Sequence, residues 1–282
     1  MAAIPYFVFH FPASYNSLKQ HEKILCGHIR KDPMETTKPL IDRLRDEKDH
    51  KISGGIYNTL QVDMAYNSNH MEGSRLTHEQ TRYIYETHTF ESDTPVNTDD
   101  IVETINHFRC FDYMLDHYNE PLSEEFIKHI HFQLKTGTFS ARSREAVIGE
   151  YKAYPNYVGE IKTSLPKDVH KDMTSLLNRY NSAASKTCDG ILGLHADFEH
   201  IHPFYDGNGR VGRLVMFKEC LKNNMVPFII TDEYKAYYIR GLYQWQTGRE
   251  KGYLRDTCLL MQDNMKATLD YFQIPYETTA DI

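Results

Sequence analysis

The stretch His202-Pro203-Phe204-Tyr205-Asp206-Gly207-Asn208-Gly209-Arg210-Val211-Gly212-Arg213 decides the fold. It places an imidazole, a carboxylate, a Gly-Asn-Gly turn and two guanidinium groups within twelve residues. Apolar residues flank it at helical spacing, with Ile191, Leu194, Phe198 and Ile201 upstream and Val211, Leu214, Val215, Phe217 and Leu221 downstream. Pro203 lacks an N–H and biases the residue before it away from helix, so the first helix ends here. The stretch is a tight loop that closes one buried helix and opens the next.

The parts of this loop point to chemistry on phosphates. Gly207 and Gly209 allow a sharp turn and a close approach of backbone to ligand. A glycine-rich turn feeding a helix start aims unpaired N–H groups and the positive end of the helix dipole at one point, which makes an anion site. Arg210 and Arg213 are three residues apart, on one side of the new helix, and suit forked hydrogen bonds to phosphate oxygens. Asp206 supplies the hard oxygen that a phosphate-bridging Mg²⁺ requires. His202 suits proton abstraction from a hydroxyl near neutral pH. The cluster His195, His200 and His202 raises zinc as an alternative, but no His-Glu-x-x-His spacing and no nearby Cys pair support it. Base, metal ligand, anion nest and arginines describe a phosphoryl- or nucleotidyl-transfer site.

The twelve residues match His-Pro-Phe-x-(Asp/Glu)-Gly-Asn-Gly-Arg-x-x-Arg at every defined position, and the chain therefore resembles the Fic (Fic/Doc) family. The likeness continues upstream through Leu194-His195-Ala196-Asp197-Phe198-Glu199-His200-Ile201. The resemblance implies an all-α Fic helical bundle with one short β-hairpin, and a protein adenylyltransferase that moves AMP from ATP to a Ser, Thr or Tyr hydroxyl. It implies roles residue by residue. His202 takes the hydroxyl proton, and Asn208 and Arg210 join it as catalytic residues. Asp206 holds Mg²⁺. Gly207, Asn208 and Gly209 stabilise charge on the α-phosphate, while Arg210 and Arg213 bind the remaining phosphates. A lysine in place of one loop glycine, which would point to phosphate transfer, is absent, so nucleotidyl transfer is favoured.

Composition sets the bounds. A chain of 282 residues, 40% hydrophobic and 25% charged, buries a full core. The net charge of −7 argues against nucleic-acid binding through a basic face. Five scattered cysteines without a Cys-x-x-Cys fit reduced thiols in the cytoplasm. The apolar run Ile4 to Phe11 has no preceding Lys or Arg and is too short to span a bilayer, so it reads as an extended segment rather than a signal peptide or membrane anchor. Charge-rich residues 19–53, broken at Pro33 and Pro39, end at a Gly54-Gly55 turn. Residues 1–55 are thus expected to form an N-terminal extension and 56–282 the Fic domain.

A helix is expected from Ile56 to about Asn69, ending in Ser68-Asn69-His70-Met71-Glu72-Gly73. Ser68 and Glu72 lie one turn apart on one face, with Gly73 as the C-terminal cap. This matches the (Ser/Thr)-x-x-x-Glu-(Gly/Asn) inhibitory motif of many Fic proteins. The resemblance implies that Glu72 pairs with Arg213 in the space of a γ-phosphate.

Further helices are expected at 77–87, from a cap at Thr98 or Asp99, from a cap at Ser123, and at 167–181, 190–202, 209–223, 232–247 and 251–271. Between them, Val147 to Tyr151 and Tyr157 to Ile161 read as two extended segments around a Pro155-Asn156 turn. By position they are similar to the Fic flap, with Tyr154, Pro155, Asn156, Tyr157 and Val158 at its tip, where the family holds its protein target by strand addition. Tyr238, Leu242 and Gln246 fall where Fic proteins line an adenine pocket, although core packing explains Tyr and Leu equally well. The implied partners are ATP, Mg²⁺ and a protein substrate, with the chain itself a possible target and a homodimer a possible assembly. Two rivals stand beside AMP transfer: removal of AMP from a modified protein at the same site, and a mainly non-catalytic binding protein.

Overall fold

The computed structural model describes residues 39–142, 147–159 and 161–276. The expected extended segment at Ile4 to Phe11 and the charge-rich residues before 39 lie outside them. The described helices are α1 (Leu40–Asp49), α2 (Ile56–Met71), α3 (His78–Thr87), α4 (Thr98–Asp116), α5 (Glu124–Lys135), α6 (Pro166–Ser182), α7 (Cys188–Ile201), α8 (Asn208–Lys222), α9 (Lys235–Gln246) and α10 (Gly252–Tyr271). One two-stranded hairpin, β1 (Tyr157–Val158) and β2 (Ile161–Lys162), interrupts this all-α architecture.

Side chains mark several helix starts. Thr77 and Gln80 form a reciprocal capping box on α3, Ser123 accepts the Phe126 N–H on α5, and Thr187 accepts the Gly190 N–H on α7. Pro166 occupies the first turn of α6, where its missing N–H is harmless. The cap of α4 is Asn97, not Thr98 or Asp99: Asn97 accepts the Asp99 N–H, while the Asp99 carboxylate accepts the Phe139 N–H at 2.6 Å. The helix expected from residue 232 opens as a 3-10 turn, Asp232–Tyr234, and becomes α-helical only at Lys235.

The hairpin also departs from expectation. Tyr157 pairs with Lys162 and Val158 with Ile161, so the turn runs through Gly159 rather than Pro155-Asn156. Residues 147–151 are not a strand. The Glu150 N–H folds back on Val147 O at 3.2 Å, the Gly149 N–H donates to His131 Nδ1 at 2.9 Å, and the Lys152 N–H donates to Pro203 O at 2.8 Å. Donation to α5, a tight turn on itself and the tie to the motif loop take the place of a ladder here.

The centre of the molecule is α8, buried on every side from Val211 to Leu221 as a helix with no solvent face must be. It packs against α2, α4, α5 and α7. Phe111 of α4 meets Phe217 of α8 with ring centroids 5.5 Å apart. The polar groups on this helix find partners: Lys218 Nζ donates to Glu120 O and Glu219 Oε1, and Tyr180 donates to Glu219 Oε2. Leu40 and Leu44 of α1 enter the same core as Ile56 and Leu60, so α1, from within the expected extension, packs with the helices that follow it. Among the described residues, no helix is long and apolar enough to cross a membrane.

Candidate active site

The α7–α8 connection builds the site. Helix α7 ends at Ile201, and His202 closes it in the left-handed region (φ 50°, ψ 62°) with its N–H on Phe198 O at 2.9 Å. A non-glycine residue there is uncommon and strained, and its neighbours must hold it. Glu199, one turn earlier and buried, places Oε2 3.7 Å from His202 Nδ1. Neither His202 Nδ1 nor Glu199 Oε1 has a hydrogen-bond partner. Burial pushes the Glu199 carboxyl up, but the nearby His202 and His195 imidazoles and the Arg213 guanidinium outweigh it and hold the group below the usual range. An ionised carboxylate facing Nδ1 favours the tautomer with the proton on that nitrogen, which leaves the lone pair on Nε2.

The loop that follows is fixed in the core. Phe204 is fully buried and stacks on His131 at 3.8 Å. His131 accepts the Gly149 N–H at Nδ1 and therefore donates from Nε2 to Asp206 O, 3.0 Å away. Burial lowers this imidazole to about 4, so it stays neutral. Asn208 accepts the Phe204 N–H at Oδ1, 2.9 Å, and donates from Nδ2 to Phe204 O, 3.0 Å. With both side-chain arms spent on the loop, Asn208 has its main-chain N–H to offer a ligand. Gly207 turns the chain at φ +84°, a conformation that disfavours any side chain, and α8 starts on the next residue. The Val211 N–H bonds Gly207 O, so the amides of Asn208, Gly209 and Arg210 form the first turn, which has no partner within the helix. These amides lie where the sequence predicts an anion nest.

Charged side chains frame it. Arg213 is 5% exposed and Glu72 34% exposed; Arg213 donates from Nη2 to Glu72 Oε1 at 2.6 Å and to Ser68 O at 2.9 Å, and from Nε to Ser68 Oγ at 3.0 Å. Burial opposes the Arg213 charge, but Glu72 and its other neighbours raise its pKa and keep it a fixed cation. The end of α2 that delivers Glu72 closes as a Schellman motif, with the Gly73 N–H on His70 O and the Ser74 N–H on Asn69 O. A Cβ on Gly209 would lie 2.2 Å from Glu72 Oε1, so the carboxylate presses directly on the nest.

The Arg210 side chain faces carboxylates. It pairs with Glu103 of α4 and lies 3.4 Å from Asp206 Oδ1, while Lys135 of α5 pairs with Glu103 and reaches Asp206 Oδ2 at 2.5 Å. Two carboxylates and two cations thus form a closed, neutral quartet. Burial raises the Asp206 carboxyl, but Arg210, Lys135 and the Gly207 N–H outweigh it and hold it at about 2. The Asp206 side chain is about half exposed. That fits the mode in which Mg²⁺ takes one carboxylate and completes its shell with phosphate oxygens and water. Among the described residues, no group of three or more His, Cys, Asp or Glu forms a metal cage.

The other expected residues divide. Tyr238 and Leu242 are buried in the core, Tyr238 on His195, and Gln246 donates to Ala196 O at 3.0 Å, tying α9 to α7. Tyr154, Pro155, Tyr157 and Val158 are exposed on the hairpin and its lead-in, whereas Asn156 turns inward to Phe204 O. The sequence reading missed Glu103, Lys135, Lys152 and the pairing of Glu199 with His202. Only the last left a signal: a spacing of three puts Glu199 on the face of His202.

An imidazole at the end of one helix thus stands beside the unpaired amides that open the next, in an all-α domain. Residues 121–220 match the model of the Fic/DOC family, so the chain carries a Fic/DOC domain. It is 26% identical over 204 residues to the protein adenylyltransferase Fic of Nematostella vectensis, covering 67% of this chain and 44% of that protein. It is 28% identical over 127 residues to the protein adenylyltransferase Fic of Drosophila grimshawi, covering 44% of this chain and 26% of that one. The chain therefore spans less than half the length of these curated relatives. In fold it is similar to a Fic-domain-containing signaling protein from Bacteroides thetaiotaomicron (TM-score 0.65, 21% identity, 82% of this chain and 94% of that). It is also similar to Fic-1 from C. elegans (TM-score 0.63, 19% identity, 83% of this chain and 71% of that).

Proposed function

We propose that the chain is a protein adenylyltransferase that transfers AMP from ATP to a Ser, Thr or Tyr hydroxyl of a protein and releases pyrophosphate. The observation that carries this reading is the single loop that joins the His202 base to the amide nest at Asn208, Gly209 and Arg210, with buried Arg213 beside it. The name shared by the relatives supports the same reaction.

In this reading the ATP phosphates lie on the nest, and the target hydroxyl approaches His202. His202 Nε2 takes the hydroxyl proton as the oxygen bonds to the α-phosphorus. The bond from that phosphorus to the bridging oxygen breaks, and pyrophosphate leaves with the electron pair. Fixed N–H donors stabilise the charge that develops at the α-phosphate. Glu199 holds Nδ1–H and steadies the imidazolium, a pairing that tightens when substrate is bound. Asp206 would hold Mg²⁺, whose chemistry is neutralisation of phosphate charge. The target adds its backbone to the exposed edge of the β1–β2 hairpin.

Glu72 belongs to the regulation of this site. Its carboxylate occupies Arg213 and the space against Gly209, so the wild-type chain is autoinhibited, and ATP enters productively only when that contact opens. The same placement suits a carboxylate that orients water, and it favours AMP removal as the second reading.

Incubation with ATP labelled at the α-phosphate, Mg²⁺ and a cell lysate tests the assignment. Label on protein is expected, strongest in a variant without Glu72. No label on any protein, the chain itself included, overturns it; label lost from a premodified protein selects the second reading.

A further inference from the structure

Lys152 is a buried cation that the transfer chemistry leaves unused. It is 4% exposed, and among the described residues no carboxylate pairs with it. A buried ammonium is strongly disfavoured unless every proton finds an acceptor. Its Nζ donates to Asn156 Oδ1 at 2.7 Å, Thr163 Oγ1 at 2.7 Å and Ile201 O at 3.2 Å, three acceptors for three protons. Its main-chain N–H donates to Pro203 O at 2.8 Å.

These partners fall in two groups. Asn156 and Thr163 are the residues just before β1 and just after β2, and they bond to each other through Thr163 Oγ1. Ile201 and Pro203 are the residues on either side of His202, and the Asn156 side chain also reaches Phe204 O. The side chain therefore closes both legs of the hairpin and ties them to Ile201 O, while the main-chain N–H of the same residue holds Pro203 O, so Lys152 grips the chain on either side of the left-handed His202. Packing alone does not account for it, since an apolar side chain would fill the same volume without desolvating a charge.

We propose that Lys152 is a positioning residue that couples the hairpin to the base, so that a strand seated on β1–β2 presents its hydroxyl to His202 in a fixed register. This rests on the adenylyltransferase reading of the site. Lys152 touches neither nucleotide nor hydroxyl. It sets the distance between the surface that receives the target and the nitrogen that receives the proton.

Two measurements on Lys152→Met test the coupling. In amide hydrogen exchange, faster exchange is expected at both 157–162 and 202–204, with α8 unchanged. Faster exchange in only one segment, or in neither, overturns the proposal. In the second measurement the labelled acceptor is a His202→Ala copy of the chain. The variant is expected to lose transfer to that acceptor by about a hundredfold in kcat, as a misplacement of ~1 Å does, with KM for ATP unchanged. Release of AMP to water does not use the hairpin, so the ratio of protein transfer to water release should fall. Equal losses in both overturn the coupling and leave Lys152 a support for His202 alone. If wild type labels no protein, the adenylyltransferase reading fails, and the exchange data alone decide the coupling. Lys152→Arg retains charge and donors; it should show the same exchange pattern in milder form, and it replaces the Met variant if that chain does not fold.

Discussion

Glu72→Gly removes the carboxylate that fills the anion nest, and its effect follows from the contacts of Arg213. In the wild-type chain Glu72 Oε1 lies 2.6 Å from Arg213 Nη2 and within reach of any atom placed against Gly209. A hydrogen bond to a charged group contributes about 1.5–3 kcal/mol net. Glu72 is a third exposed, so solvent screening puts this contact at the lower end, ~1.5 kcal/mol. A competing γ-phosphate gains that amount when the carboxylate is gone, which is about tenfold in ATP affinity. The guanidinium keeps its bonds to Ser68 Oγ and Ser68 O, so the site is vacated without losing its arginine. The substitution falls at an ordinary right-handed position (φ −92°, ψ 5°), where glycine weakens the helix end by roughly 0.5–1 kcal/mol, too little to unfold the domain. Calorimetric titration with a non-hydrolysable ATP analogue and labelling with α-labelled ATP are the assays. Affinity and self-labelling should both rise about tenfold, and Arg213→Ala, which removes the phosphate ligand as well, should not reproduce either. If Glu72→Gly binds nucleotide no more tightly and labels no more protein than wild type, the inhibitory contact is refuted. Loss of AMP removal in the same variant would transfer the role of Glu72 to hydrolysis.

Three further outcomes are expected. His202→Ala should fold and bind ATP as wild type does while transfer falls ~10²–10⁴-fold, the usual loss of a general base; retained transfer in a single-turnover assay removes His202 from its role. Asp206→Ala should weaken Mg²⁺-dependent nucleotide binding, as read by Mn²⁺ paramagnetic titration, and full activity in excess chelator would exclude the metal. Acid should unfold the chain early: burial lowers His131 and His195 from 6.5 to about 4, so the folded state binds fewer protons than the unfolded one between those values. Stability is thus present in full above pH ~6.5 and is lost as pH falls towards 4, on the order of 3 kcal/mol from each histidine. A melting temperature that stays flat from pH 6.5 to 4.5 would contradict it.

The motif loop was legible because all its parts lie in consecutive residues, and each side chain's chemistry is evident from its type and spacing. The Glu72–Arg213 pair was legible too, through a second short motif. What escaped had no local mark. Glu103 reaches Arg210 across 107 positions and Lys135 reaches Asp206 across 71, and on their own helices both look like ordinary charges on an amphipathic face. The false strand at 147–151 has the same origin: Val147, Ile148 and Tyr151 favour extended backbone, but the Gly149 N–H is taken by His131, which only the packed fold brings near, and the Glu150 N–H folds back on Val147 O. Local pattern reports what a segment prefers; where its donors go is a tertiary fact.

The quartet and the Arg213 pair together explain how an anion site survives without its ligand. A buried arginine with nothing opposite it would carry a large desolvation penalty. Here each cation at the site already faces a carboxylate: Arg213 faces Glu72, while Arg210 and Lys135 face Glu103 and Asp206. The two arrangements respond differently to a phosphate. The Lys135 side chain is buried and Glu103 largely so, and the charges of the quartet already face one another, so it fixes Asp206 and the loop base in place. Glu72 is the more exposed carboxylate, carried at the very end of a helix by a single contact, and it can leave without uncovering Arg213 once a phosphate takes its place. In the proposed transferase, exchange of one anion for another at Arg213, over the quartet that holds the loop base, would make that contact the movable part of the site.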